Sequence, residues 1–402
     1  MNNSIPTKYF RYSVISLFIV AVLGTLMRYK IAFSFPYFDQ KNLLHAHSYF
    51  AFSGWISHFL YCGLASIILK YITTKRYNIL ITANLVCATG MLVSFAIKGY
   101  NITSIIFSTC GILVGLLFAI QLIGDWRKVK EEHPSKNWSI AAVALNIIAS
   151  AGPLFLAYMI FSHTTTHKTY LGSVYYYLHF QYSGWFFFAS MAMIVDRIQN
   201  KTSILNKYFL VFAITVIPTF FLSILWANLP MWLYAITVAA TFVQLIAWYH
   251  LLYKYFKDVN HYLKENFPSW VRLLCYSAIL AISIKFLLQA ISVIPSLSQL
   301  VFGIRPIVIA YLHLVLLGVY TLFFLAYLVM NNYLKQKPII KKATMAFLTG
   351  VILNELLLGI QGFAAFFYIP IPYVNLLLLL AALVLLISAG TLMASQFSTG
   401  ED

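Results

Sequence analysis

Long apolar runs separated by short polar stretches recur along the whole chain. A helix that crosses the hydrocarbon core needs about 20 mostly apolar residues. Twelve segments meet that need: 12–33, 43–69, 78–98, 102–124, 138–162, 170–195, 208–227, 230–252, 269–292, 305–330, 340–366 and 373–395. The last is the cleanest, since Asn375 is the one polar residue among the aliphatics from Val374 to Ile387. Pro153 and Pro218 lie inside spans, where a missing N–H predicts kinks. The connections are too short for a soluble domain, and the alternation of outer-membrane strands is absent. The pattern predicts an all-α, polytopic membrane protein, with residues 1–402 forming a single integral membrane domain.

Composition agrees with the pattern. Hydrophobic residues make up 61% and charged residues 9% of the 402 positions, against about 25% charged in soluble domains. This excludes a soluble globule, a disordered chain, a disulfide scaffold and a basic nucleic-acid binder. The net charge of +17 then reports loop topology. With the N-terminus in the cytoplasm, 20 of the 27 Lys and Arg fall in inner loops, 6 in outer loops, and Lys285 inside span 9. That bias predicts both termini inside and suits a bacterial inner (plasma) membrane. The basic stretch Lys8–Arg11 leads into a full-length span with no cleavable-signal pattern. Cys62, Cys87, Cys110 and Cys275 lie in apolar segments without CxxC spacing, so neither disulfides, thiolate metal sites nor covalent heme c is expected.

Three even-numbered spans share a local pattern. Span 2 reads Leu44-His45-Ala46-His47, then Phe52-Ser53-Gly54-Trp55; span 6 reads Tyr177-Leu178-His179, then Tyr182-Ser183-Gly184-Trp185; span 10 reads Tyr311-Leu312-His313, then Gly318. His45, His179 and His313 are spaced by 134 residues, one third of the chain. Three pseudo-symmetric four-helix units follow, about 1–134, 135–268 and 269–402. The Gly follows His179 and His313 by five positions, but Tyr49 stands five before Gly54.

On this topology the histidines enter at one level, roughly 12–14 Å below the outer edge. Intramembrane ionisable groups mark function by default, and neutral imidazole ligates heme iron and copper. Two histidines on facing helices can clamp a heme, while a third can hold copper or water. The structural alternative is hydrogen bonding between helices. His45 and His47 are about 200° apart on a helix, so only one faces the centre; repeat spacing favours His45. Glu355, beside Asn354, is the acid inside a span, and Lys285 with Gln289 sits at similar depth. An interior Lys285–Glu355 ion pair, a proton relay, or snorkelling of Lys285 are the readings to weigh. Trp55 and Trp185 read as packing residues of a kind that also lines porphyrins.

These motifs resemble the heme–copper oxidase subunit I superfamily, whose members have twelve spans, cytoplasmic termini and a pseudo-threefold plan. Leu44-His45 through Phe50-Ala51-Phe52-Ser53-Gly54 is similar to the span 2 motif of the cbb3-type branch, as is Gly359-Ile360-Gln361-Gly362 to its span 11 motif. The resemblance implies a low-spin heme ligand at His45 or His47 and the opposing ligand at His313. It implies a copper ligand at His179. Tyr311 stands where the family has its high-spin heme ligand, the stretch from Thr215 to Phe221 lacks a His pair, and His179-Phe180-Gln181-Tyr182 replaces His-Pro-Glu-Val-Tyr. A complete binuclear centre is therefore not expected. NnrS-type heme and copper proteins are similar in outline only. The expected function is that of a membrane hemoprotein with bis-His heme b between spans 2 and 10, copper at His179 as a second cofactor, and electron transfer or nitric oxide and oxygen handling as the activity. Its expected partners are the lipid bilayer and respiratory-chain subunits or an electron donor, with no nucleic acid. A twelve-helix secondary transporter and a non-catalytic respiratory assembly or sensor subunit are the alternatives.

Overall fold

The computed structural model describes residues 5–198, 202–297, 304–335 and 337–397. Lys201, one of the basic residues expected on the inner side, lies outside them. The helices are α1 (Thr7–Ala32), α2 (Gln40–Ile68), α3 (Arg76–Lys98), α4 (Ile102–Lys128), α5 (Ser135–Phe161), α6 (167–197), α7 (Lys207–Ala227), α8 (Met231–Asn266), α9 (Ser269–Ile291), α10 (Arg305–Met330), α11 (Pro338–Phe366) and α12 (Val374–Phe397). Among the described residues, eleven of these are long and apolar enough to cross a membrane. The other, α6, matches them in length but carries the Tyr175-Tyr176-Tyr177 run, His179 and Gln181. From Phe180 onward it is buried by its neighbours, so that part does not need the hydropathy of a lipid-facing helix.

Sequence neighbours pack as neighbours in space, and α12 returns against α1, where Thr25 Oγ1 donates to the Ala382 carbonyl at 3.1 Å. The ring so closed surrounds α2, α6 and α10. Burial follows that plan: 89% of the apolar window of α2 is buried, against 22% in α4. The exposed side of α4, with Ile106, Leu113, Leu117 and Ile120, is therefore the face left to lipid. Pro153 makes no break in α5, which is continuous past it. There Gly152 lets α6 approach closely: an added Cβ would sit 2.8 Å from the Ser173 carbonyl oxygen, and Ser173 Oγ donates to the Gly152 carbonyl at 2.6 Å. Pro218 does break α7, which passes from α-helix at Thr215 to a 3-10 turn from Pro218 to Ala227.

Each central helix contains a π-helical segment in mid-span: Ala51–Ser57 in α2, Phe180–Trp185 in α6 and Leu314–Thr321 in α10. Such wide turns recur at functional sites. Here they carry the hydrogen bonds that join the three helices. Trp55 Nε1 of α2 donates to Thr321 Oγ1 of α10 at 3.0 Å. Trp185 Nε1 of α6 donates to Ser57 Oγ of α2 at 3.0 Å. The Tyr320 hydroxyl of α10 donates to the Tyr182 carbonyl of α6. The bonds thus run α6 to α2, α2 to α10 and α10 back to α6. Trp55 and Trp185 are packing residues with an added role as cross-helix donors.

Beyond this girdle the C-terminal halves are solid. All of His58–Ile68 except Ser66 is buried, and Phe59 stacks on Phe324 with centroids 4.1 Å apart. The exit ends of α2, α6 and α10 are tied by Lys70–Asp196 at 2.8 Å and by Arg197 Nη1 donating to Asn331 Oδ1 at 2.6 Å. His133, stacked on Trp126, lies 3.7 Å from the same Asp196; burial pulls its pKa below the usual histidine value.

The girdle predicts the outcome of deleting one bond. Trp185→Phe keeps the ring and removes the donor, leaving Ser57 Oγ buried without it. Its expected cost is about 1–3 kcal/mol, measured as a lower unfolding midpoint in detergent. Adding Ser57→Ala to that background should cost much less than it does alone; strictly additive losses would mean the bond contributes nothing.

Candidate functional site

The N-terminal halves of the same helices are packed differently. No residue of Arg305–His313 is buried, whereas Leu322–Met330 is mostly buried. In α6, only Ser173 and His179 are buried over the first thirteen residues, but all of Phe180–Trp185 is. The N-terminal halves of α6 and α10 are therefore the more open side of the girdle, and the halves beyond it the more buried.

His47 and His313 stand on this open side. The two rings lie within electrostatic range of each other, and both sense Arg28 at the end of α1. Each ring is deeply placed yet keeps partial exposure. His47 Nδ1 meets the Val20 carbonyl at 3.1 Å, and His313 Nδ1 meets the Ile309 carbonyl at 2.8 Å. A carbonyl accepts, so each Nδ1 carries the proton and each Nε2 keeps its lone pair. A backbone carbonyl on Nδ1 is the contact that orients a metal-binding imidazole and presents its Nε2. Gly24 makes room for one of them, since a Cβ there would lie 3.3 Å from His47 Cε1.

The repeat spacing favours His45, but the structure turns His45 elsewhere. Its ring lies 4.7 Å from Tyr100 and 6.0 Å from Phe95, towards α3 and the loop after it, and its Nε2 is buried without a partner. The physical reason is geometric. His45 and His47 project about 200° apart from one helix, so with His47 turned to Val20 of α1, His45 faces Phe95 and Tyr100.

His179 is buried and donates through Nε2 to the Val216 carbonyl at 2.8 Å. The Pro218 kink leaves that carbonyl without its usual partner, because Phe220 N donates to Ile217 instead. Thr219 Oγ1 at 3.2 Å also serves it. His179 therefore staples the kink in α7, and its Nε2 is committed. Among the described residues no three His, Cys, Asp or Glu gather where a metal could be held, so the donor set does not fit copper at His179.

Tyr311 sets its ring edge-on against Tyr182, with centroids 5.9 Å apart, a contact between α10 and α6. Gln181 Nε2 donates to Asn146 Oδ1 at 2.9 Å, and Asn146 Nδ2 to the Tyr61 hydroxyl at 3.0 Å. This buried chain ties α6, α5 and α2. The expected Lys285–Glu355 ion pair is absent among the described residues. Asn354 Nδ2 donates to Glu355 Oε1 at 3.0 Å, while Lys285 faces Gln244 and Ser183 across a separate cavity. The α9 and α11 helices touch only slightly, which keeps the two charges apart.

Arg28 is the residue that sequence reasoning missed as part of the site. It counts as an ordinary outer-loop charge in the topology. Its spacing of four from Gly24, on the face that meets His47, is the signal that could have found it.

No family model matches the chain, and no curated protein matches it. Among solved structures, the chain is similar to a cryo-EM structure of a heme–copper terminal oxidase dimer, with a TM-score of 0.68 and 13% sequence identity over 98% of this chain and 85% of that one. At that identity the likeness concerns the fold, and the fold is that of a heme–copper terminal oxidase chain: a polytopic, all-helical membrane protein.

Proposed function

We propose that this protein is a membrane electron-transfer hemoprotein, holding one heme b between α2 and α10. The observation that carries the reading is the pair His47 and His313, each with Nδ1 committed to a backbone carbonyl and Nε2 free, beside loosely packed helix halves. Bound there, with His47 and His313 as the residues that would hold it, the group would supply one-electron chemistry. With both imidazoles engaged in holding it, electron transfer is the favoured reading over nitric oxide or oxygen handling.

The chain's own residues do the rest. His47 and His313 hold the ligand from two helices, oriented by Val20 and Ile309. Arg28 provides the cation that meets a carboxylate-bearing ligand. The Trp55, Trp185 and Tyr320 girdle seals the far side against water and lipid. The fold likeness to a heme–copper oxidase supports the same reading, and respiratory-chain subunits or a small electron donor are the partners it suggests. The bias of basic residues supports cytoplasmic termini in a bacterial inner membrane. Copper at His179 is not carried forward.

The absorption spectrum of the purified protein is the test. The wild type should show a low-spin Soret band that does not shift under carbon monoxide. His47→Ala and His313→Ala should each abolish or convert it, and His45→Ala should retain it. Absence of any Soret band after heme is supplied would remove the proposal.

Arg28→Gln should lower the midpoint potential, because a nearby cation favours the reduced state. The shift should be on the order of tens of millivolts, read by redox titration. An unchanged potential would place Arg28 outside the site.

A further inference from the structure

A second space lies among α6, α7, α8 and α9. Its polar lining is Ser183, Gln244 and Lys285, and four phenylalanines close the remainder. Its volume is about 10 Å3, which suits one particle of water size. All three polar residues are deeply buried: Gln244 is 4% exposed, Lys285 5% and Ser183 7%.

The chemistry of this lining is one-sided. Ser183 Oγ has no partner and is free to donate. Gln244 accepts through Oε1 from Gln289 Nε2 at 3.3 Å, which leaves its amide hydrogens available. Lys285 Nζ is 4.2 Å from the Phe286 ring centroid, and among the described residues no carboxylate lines the space. Glu355 of α11 is engaged with Asn354. An ammonium group in hydrocarbon surroundings needs a counter-charge, and Phe286 compensates only in part.

We propose that this cavity binds one small monovalent anion of the halide class, held by Lys285 with Ser183 and Gln244 as neutral donors. The anion neutralises Lys285 where, among the described residues, the lining provides no acid. The proposal stands independently of heme binding.

Two measurements with sodium bromide and sodium chloride test it. Anomalous diffraction from crystals grown in bromide should show one peak against Lys285 Nζ in wild type and none in Lys285→Met. In solution, the unfolding midpoint should rise saturably with chloride but not with gluconate at equal ionic strength, and the rise should vanish in Lys285→Met. That variant fills the space without charge and is expected to fold. If it does not, Ser183→Ala serves in its place, with a chloride response shifted to higher concentration. A cavity without bromide, or a wild-type midpoint equal in chloride and gluconate, overturns the proposal in favour of a lone water beside an uncharged amine.

Discussion

In the hydrocarbon core of a bilayer there is no water to satisfy a buried N–H or hydroxyl, so each must find its partner within the protein. The three central helices meet this demand by bonding to one another. Trp185 reaches Ser57, Trp55 reaches Thr321, and Tyr320 reaches the Tyr182 carbonyl. All of these groups sit in π-helical turns. The wide turn does more than lengthen a helix, because it alters which faces the residues before and after it present. The site side and the sealed side of each central helix are thereby set against different neighbours.

The girdle divides the molecule into two unlike halves. On one side, aromatic stacking such as Phe59 on Phe324 and Phe10 on Tyr333, at 3.9 Å between centroids, leaves no room for a ligand. On the other, the start of α10 has no buried residue at all. The loose half holds His47, His313 and Arg28 together, and the proposed function follows from that coincidence of space, lone pairs and charge.

Other polar residues in the core have structural explanations. His179 serves a carbonyl exposed by Pro218, and Gln181 enters a chain through Asn146 to Tyr61, while Tyr311 packs edge-on against Tyr182. Each therefore answers a local packing or hydrogen-bonding need. Lys285 does not, since its cavity offers donors and rings but no acid, and this imbalance sets it apart from the rest.

Much of the architecture was legible in the sequence, because the bilayer imposes it through length and hydropathy. Apolar runs of spanning length determined the helices, and the helical, polytopic class followed. Even so, α6 shows the limit of that signal: its segment from Phe180 to Trp185 is enclosed by other helices and is free to carry Gln181 and Ser183. The residue types of the site were also visible, since histidines in apolar spans are conspicuous. Which of them face one another was not. His45 and His47 differ only by rotation about one axis, and the π turn that follows them carries no sequence signature strong enough to set that rotation. Arg28 entered the site through the crossing of α1 over α2, and Lys285 was separated from Glu355 by the placement of α9 and α11. Those outcomes depend on how helices distant in sequence pack side by side, and only the tertiary structure decides them.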